Sequence, residues 1–166
     1  MKSKIILSLS IFMLVVTLVA CNNNEAASGL AAGKDLTSLG TKLLNTLDFE
    51  DEDLNALPEQ IWHRHIQQVK QEDVQAFHIL AGGGMVAEEV ALFEAKDMNS
   101  ANAIKQGMEE RYEYLRTTYG NYSPEQLKNL EDPVLIQNGV YVFSVISSQD
   151  DEAENVINTW ISEQSK

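Results

Sequence analysis

Cys21 is the residue whose chemistry is most readily inferred, because it is the only cysteine in a chain of 166 residues. A thiol is a nucleophile in its deprotonated form and can carry a covalent group on sulfur. A single cysteine cannot form an internal disulfide, so the disulfide framework of many small secreted proteins is excluded. The sequence therefore predicts a cysteine that carries an attached group.

A signal-like segment, residues 1–20, leads to this cysteine. Lys2 and Lys4 precede a charge-free apolar run over residues 5–20. The run is shorter than the roughly 20 residues that a membrane-spanning helix needs. A basic start followed by a short apolar core is typical of an export signal. The end of the run, Leu18-Val19-Ala20-Cys21, resembles the lipobox of bacterial lipoprotein precursors.

The lipobox resemblance implies a lipid anchor. In such precursors the cysteine sulfur receives a diacylglyceryl group and the chain is cleaved just before it, here between Ala20 and Cys21. A palmitoyl chain on the new amino group is an optional addition. Two acyl chains attach a protein stably to a bilayer. We therefore expect residues 1–20 to be removed, residues 21–35 to form a flexible tether, and Cys21 to sit in membrane lipid on the extracytoplasmic face of the cell membrane.

Carboxylates and tyrosines are the candidates for a binding site. Glu88 and Glu89 are neighbours on a predicted strand, so they point to opposite faces and cannot act as an acid–base pair. One of them either faces inward as a ligand contact or is a charge at the wet end of the sheet. Four tyrosines are expected where a long helix meets the sheet, either as core or as a binding patch: Tyr112, Tyr119, Tyr122 and Tyr141. The candidate ligand contacts are Glu88, Tyr119 and Tyr122.

The residues that could bind a metal ion do not form a complete metal-binding motif. Residues 48–53, taken with Glu59, have the length of a calcium loop, but the sixth position is aspartate where such a loop needs glycine. His63 and His65 are two apart and point away from each other on a helix. No cysteine lies near them, and His78 is a lone third candidate. We expect a solvated acidic turn, no metal site and no cofactor.

The excess of acidic residues limits the classes of partner that we expect the protein to bind. The chain has 25 acidic and 12 basic residues and a formal net charge of −13. Nucleic-acid binding depends on cationic contacts to phosphate, so this class of partner is not expected. The length suits one domain, which we place at residues 36–166. This is too short for a typical two-lobed solute-binding protein.

Hydrophobic periodicity predicts the first half of this domain. An amphipathic helix is expected over residues 36–47. Strands are expected at 73–80 and 85–95, joined by a tight hairpin turn at the glycines 82–84. Apolar residues fall on both faces of the second strand, which indicates a central strand covered on both sides.

The second half is predicted from caps and turns. A long helix is expected between Asn99 and a left-handed Gly120, with a capping-box helix over residues 123–130 after it. Asn138-Gly139 indicates a hairpin with a type I′ turn, and a last helix follows from Asp150 or Asp151. The predicted class is α+β, with a small antiparallel sheet of about four strands in the order β-β-α-α-β-β-α.

Residues 85–147 also resemble a family of small Gram-positive lipoproteins known only as a domain of unknown function. The resemblance implies a small α+β domain behind a lipobox, and it implies no reaction. It rests on these segments: Ala87-Glu88-Glu89-Val90-Ala91, Phe93-Glu94-Ala95-Lys96-Asp97, Tyr122-Ser123-Pro124-Glu125-Gln126 and Asn138-Gly139-Val140-Tyr141-Val142-Phe143.

Two functions remain open from the sequence. The first is a non-enzymatic, membrane-tethered module that binds an envelope protein or a small ligand. The second is a cell-envelope enzyme whose site is assembled from scattered residues such as His78, Glu88 and Tyr122. No serine lies in a strand–turn–helix elbow, which favours the first. An exposed apolar face of the sheet would support binding, and a fully covered sheet without a groove would count against it. A buried polar cluster of those three residues in a deep cleft would support catalysis.

Overall fold

A five-stranded antiparallel sheet forms the centre of the protein, in a computed structural model that describes residues 29–51 and 54–166. The strands are β1 (Asn55–Ala56), β2 (Val74–Ala81), β3 (Glu89–Ala95), β4 (Val134–Asn138) and β5 (Tyr141–Ile146). They lie in the order β1-β2-β3-β5-β4. The predicted α+β class with an antiparallel sheet is confirmed. The fifth strand was not predicted, because β1 has only two residues and forms by pairing with the end of β2.

Helices cover both faces of this sheet. They are α1 (Leu36–Thr46), α2 (Trp62–His65), α3 (Met98–Tyr122) and α4 (Asp150–Gln164), with 3-10 helices at Gln71–Asp73 and Pro124–Leu130. The order of elements differs in detail from the predicted β-β-α-α-β-β-α. The second 3-10 helix takes the place of the predicted second α-helix, and α1, β1, α2 and the first 3-10 helix precede β2. Within the described residues, no helix combines the length and apolar character needed to cross a bilayer.

The central strand β3 separates two layers of core. All seven of its residues are buried. Val90 and Leu92 belong to the apolar cluster that includes residues of α1 and α4. Ala91 and Phe93 belong to the cluster that includes α3. Because alternate side chains of a strand point to opposite faces, this confirms the predicted two-sided central strand.

The packed domain begins before Leu36. The Leu30 side chain is buried, and its N–H donates to Oδ1 of Asn138 at 2.8 Å. The N–H of Lys34 donates to the Tyr141 hydroxyl at 2.8 Å. Asp35 then caps α1 by accepting from two backbone N–H groups of its first turn. The segment 29–35 therefore lies against the domain instead of forming the end of a tether, while residues 21–28, with Cys21, lie outside the described residues.

Helix α3 carries the predicted apolar stripe. The stripe residues are all buried: Ala101, Ile104, Met108, Tyr112, Leu115 and Tyr119. Asp97, rather than Asn99, caps the helix by accepting from the N–H of Ser100 at 2.8 Å. The helix continues through Gly120, whose φ is not positive, and ends before Ser123. Pro124 disfavours helical geometry in the residue before it, so the proline and not the glycine ends the helix.

The remaining turns differ from the prediction in detail. In the β4–β5 hairpin Asn138 pairs with Tyr141, so the two turn residues are Gly139 and Val140. Gly139 has a φ of +60°, and no residue other than glycine has a positive φ among those described. Glycine alone in the first turn position is the pattern of a type II′ turn rather than type I′. Helix α4 begins at Asp150 without a side-chain cap.

Candidate functional site

Two tyrosines of α3 hold the loop that joins β2 to β3. The Tyr119 hydroxyl donates to the carbonyl of Val86 at 2.7 Å, and the Tyr122 hydroxyl donates to the carbonyl of Gly84 at 2.7 Å. The two rings lie 5.1 Å apart at an interplanar angle of 34°. Both hydroxyls are therefore engaged by the loop, and Tyr122 presents mainly its ring to solvent.

The loop itself is longer than the predicted tight turn. Strand β3 begins at Glu89 rather than Met85, so residues 82–88 connect the two strands. Gly84 has a φ of +79°, a conformation that other residues rarely adopt. Its carbonyl accepts from Tyr122 there, so the glycine shapes the loop against the C-terminal part of α3.

A buried ion pair lies beneath this loop. Nε and Nη2 of Arg111 donate to the two carboxylate oxygens of Glu89 at 2.9 and 2.5 Å. Nη1 of Arg111 donates to the carbonyl of His65 at 2.7 Å. Nε2 of His65 lies 2.8 Å from Oε2 of Glu89. This network, the Glu89–Arg111–His65 cluster, joins β3, α3 and the end of α2.

Glu89 is charged within the cluster. Burial alone would raise the pKa of its carboxyl, but the positive charge of Arg111 and the hydrogen bonds from His65 and Arg111 hold the pKa below its usual range. The carboxylate and the guanidinium therefore neutralise each other. A buried charge pair of this kind needs both members and a nearly complete set of hydrogen bonds.

Glu88 points the other way and serves the loop after α1. Its two carboxylate oxygens accept from the backbone N–H groups of Glu50 and Asp51, each at 3.0 Å. The carboxylate of Glu50 in turn pairs with Lys128. The opposite orientation of Glu88 and Glu89 agrees with the strand rule. Both side chains are buried, so neither is the exposed charge that was considered as an alternative.

Two adjoining cavities lie where α2, α3 and this loop meet. The larger, here the outer cavity, has a volume of about 290 Å³. It is lined by polar side chains and a set of aromatic and apolar ones: Arg64, His65, Gln67, Gln68, Arg111, Thr118, Tyr114, Leu115, Tyr119 and Tyr122. The smaller inner cavity, of about 60 Å³, has Glu88 and Glu89 in its wall and shares Arg111 and Tyr119 with the outer one. The outer cavity is close to the lower size limit of ligand sites, which hold upwards of about 300 Å³.

The structure brings together only part of the predicted site. Tyr119 and Tyr122 line the outer cavity, and Glu88 borders the inner one. Tyr112 is buried, with its hydroxyl 2.7 Å from Ser144 Oγ. Tyr141 bonds to Glu94 and packs in the cluster on the α1 side of the sheet. The four tyrosines therefore do not converge, because they lie on both faces. Ala20 and Cys21 lie outside the described residues.

The histidines are also separated. His63 bonds to Gln71 and His65 joins the buried cluster. His78 packs against Gly40 of α1, on the face of the sheet opposite to Tyr122. In the described ranges no three histidine, cysteine or acidic side chains are grouped so that they could hold a metal ion. The scattered catalytic set of His78, Glu88 and Tyr122 is thus not assembled.

Arg111 is the main residue that the sequence-based prediction missed. Arg111 is buried although it is charged. Its spacing held a signal: Ile104, Met108, Arg111 and Leu115 follow steps of four, three and four, so position 111 lies on the apolar face. A charge on that face requires a partner of opposite sign, and Glu89 supplies it.

The family comparison identifies the domain that holds these cavities. Residues 51–147 match the family described as Domain of unknown function (DUF4358). The chain belongs to this family. The match runs from just before β1 to just after β5, so the DUF4358 segment contains every residue that lines the outer cavity, whereas α1 and α4 lie outside it. No curated protein and no solved structure matches the chain.

Proposed function

We propose that this protein is a lipid-anchored lipoprotein on the extracytoplasmic face of a Gram-positive cell membrane, and that its DUF4358 domain binds a small ligand without catalysis. The observation that carries the binding proposal is the outer cavity of about 290 Å³ between α2, α3 and the β2–β3 loop. Concave sites with convergent polar groups are the usual place for small ligands.

The walls of the outer cavity support a preformed site. Tyr119 and Tyr122 hold the loop through their hydroxyls, and the ion pair of Arg111 with Glu89 holds α3 against β3. Groups that are fixed by their neighbours lose little freedom when a ligand binds, which favours affinity. Core clusters cover both faces of the sheet, so the proposal of binding rests on the outer cavity and not on an exposed apolar sheet face.

The polar groups in the outer cavity and in the ion pair beneath it favour binding over catalysis. The carboxylate of Glu89 accepts from Arg111 and His65, so it has no free role as a base. The hydroxyl of Thr118 donates to the carbonyl of Tyr114 within the helix and lacks an adjacent base. Neither group forms a nucleophile with its activating partner.

The anchor proposal rests on the sequence. Leu18-Val19-Ala20-Cys21 carries the lipobox pattern. Gly29, which follows the lipobox segment in the chain, lies against Gly139 in the β4–β5 turn. That turn is at the Glu94 end of β3, while the cavities lie at the Glu89 end. A domain tethered through Gly29 therefore carries its outer cavity at the end of the sheet away from the attachment point.

A pair of neighbouring variants tests the binding site. Thr118 lines the outer cavity and adjacent Thr117 is exposed, and each hydroxyl donates to the carbonyl four residues earlier. Thr118→Trp should fill the cavity, whereas Thr117→Trp places the same ring in solvent. In a thermal-shift screen of small molecules against the full chain, compounds that raise the Tm of wild type and Thr117→Trp should not raise that of Thr118→Trp. If no compound binds, or if binding is equal in both variants, the outer cavity is not the site.

A further inference from the structure

The outer cavity has a charge opposite to that of the rest of the protein. The chain carries a net charge of −13 and only three arginines. Two of them, Arg64 and Arg111, line the outer cavity together with His65. Within the described residues, no aspartate or glutamate lines it. The positive electrostatic potential of this cavity attracts anionic ligands, whereas the negative charge of the rest of the protein repels them.

The two arginines differ in what they offer. Arg111 is neutralised by Glu89, with three of its five N–H donors in the bonds to Glu89 and His65. Arg64 is exposed, and no carboxylate of the described chain forms an ion pair with it. Arg64 therefore supplies the uncompensated positive charge of the cavity. Guanidinium groups bind carboxylate and phosphate groups through paired hydrogen bonds.

The mouth of the outer cavity adds an apolar surface. Tyr114 and Tyr122 are 55% and 51% exposed. The Tyr122 hydroxyl is bound to Gly84, so the ring rather than the hydroxyl is available to a ligand. Exposed tyrosine rings beside a charged cavity suit the apolar or aromatic part of an organic molecule.

We infer that the outer cavity binds a small organic anion, with its carboxylate or phosphate group against Arg64 and its apolar part on Tyr114 and Tyr122. This inference rests on the proposed ligand-binding function and names the class of ligand. The charged group could belong to a soluble metabolite or to a lipid headgroup. The position of the cavity at the end of β3 away from Gly29 favours the soluble source.

Calorimetric titration of the full chain in a non-ionic detergent tests the inference. The probes are phenyl phosphate, benzoate, benzyl alcohol and benzylammonium, which share a ring and differ in charge. We expect the stronger of the two anions to bind at least about tenfold more tightly than the alcohol, a difference of about 1.4 kcal/mol. The benzylammonium cation should bind most weakly.

Arg64→Gln should weaken binding of the anions about tenfold and leave benzyl alcohol unchanged. Lys96→Gln removes the same charge from an exposed residue just after the opposite end of β3 and should change neither. Equal binding of anion and alcohol would overturn the inference and leave the proposed function standing. If none of the probes binds, the inference also fails, and the comparison of Thr118→Trp with Thr117→Trp decides the proposed function separately.

A vesicle arm separates the two sources of the anion. The chain without its apolar leader, residues 21–166 with Cys21→Ala, is mixed with vesicles of phosphatidylglycerol or of phosphatidylcholine and sedimented. A soluble ligand predicts no sedimentation with either vesicle. Sedimentation with phosphatidylglycerol that Arg64→Gln abolishes would overturn the soluble source and assign the site to a lipid headgroup.

Discussion

Arg111 and Glu89 meet through two hydrogen bonds, of 2.9 and 2.5 Å, at a place where each residue is only 3% exposed. The pair joins the middle of α3 to the first residue of β3. Removing two charges from water is expensive, so such a pair contributes little net stability compared with apolar residues of the same size. Its main effect is positional, because it sets the wall that the outer and inner cavities share.

Removing one member of the Glu89–Arg111 pair should destabilise the protein, whereas replacing both members with apolar residues should not. Glu89→Gln leaves Arg111 buried without a counter-charge and should lower the free energy of unfolding by about 3 kcal/mol. The double variant Glu89→Leu/Arg111→Met should stay within about 1 kcal/mol of wild type. Denaturant unfolding measures both. The control Glu113→Gln breaks the exposed pair with Arg116 and should cost less than about 1 kcal/mol.

The same pair predicts a dependence on acid. The pKa of Glu89 is lowered in the folded protein, so its contribution is present above the ordinary glutamate pKa of 4.5 and is lost as pH falls below it. The stability difference between wild type and Glu89→Gln should therefore shrink in acid. A difference that is constant between pH 7 and the acid limit would contradict the charged pair.

Gly107 is expected to be required in the interior of α3. A Cβ atom there would lie 2.6 Å from the backbone carbonyl oxygen of Gln68, a residue of the outer cavity. Gly107→Ala should destabilise the protein by about 1–2 kcal/mol, because overpacking outweighs the better helix propensity of alanine. At Gly120, in the same helix, the nearest atom would be 4.0 Å away, so Gly120→Ala should be neutral or stabilising by up to about 1 kcal/mol. Thermal unfolding that shows the same sign for both variants would contradict the close packing.

Ionisation of Asp150 should lower the free energy of unfolding as pH rises. Partial burial, with the charges of Asp132 and Asp151, raises the pKa of its carboxyl from 3.8 to about 6. The folded state then binds more protons than the unfolded state between these values, so stability falls from pH 4 to pH 6 and is level above. The effect on the free energy of unfolding is limited to about 1 kcal/mol. The Asp150 carboxylate is partly exposed to solvent, and a negative charge at the N-terminus of α4 is stabilised by the helix dipole.

Asp150→Asn removes this titration. The unfolding free energy of Asp150→Asn relative to wild type should rise by about 1 kcal/mol between pH 4 and pH 7. Glu152→Gln removes an exposed charge from the same first turn and should show no comparable rise. The proposal of a raised pKa fails if the two variants follow the same pH profile.

Cys21 should carry the lipid. Cells given labelled palmitate should incorporate label into the wild-type chain and into Asn22→Ala, whereas Cys21→Ala should take up none, because the thioether forms on sulfur. Electrophoresis with fluorography of the purified chains measures this. Equal labelling of Cys21→Ala would contradict the lipid anchor.

Strong local patterns were sufficient to predict most of the elements. The stripe of α3 and the two apolar faces of β3 repeat over enough residues to be unambiguous. Strand β1 has no such pattern, since its two residues become a strand only by pairing with β2. The β4–β5 turn also lies one residue later than predicted. Asn138 pairs with Tyr141 as the last residue of β4, and its side chain accepts a hydrogen bond from the N–H of Leu30.

The amino-acid sequence by itself determined the acidic character of the protein, the α+β class and the elements with long periodic patterns. It also contains the segment Leu18-Val19-Ala20-Cys21, whose resemblance to a lipobox is the basis of the anchor proposal. The tertiary structure decided which side chains meet. Arg111 and Glu89, twenty-two residues apart, pair only because α3 packs across β3, and His65 joins them from a third element. The outer cavity exists for the same reason: periodicity places a residue on a face, but only packing between elements places an arginine beside a tyrosine.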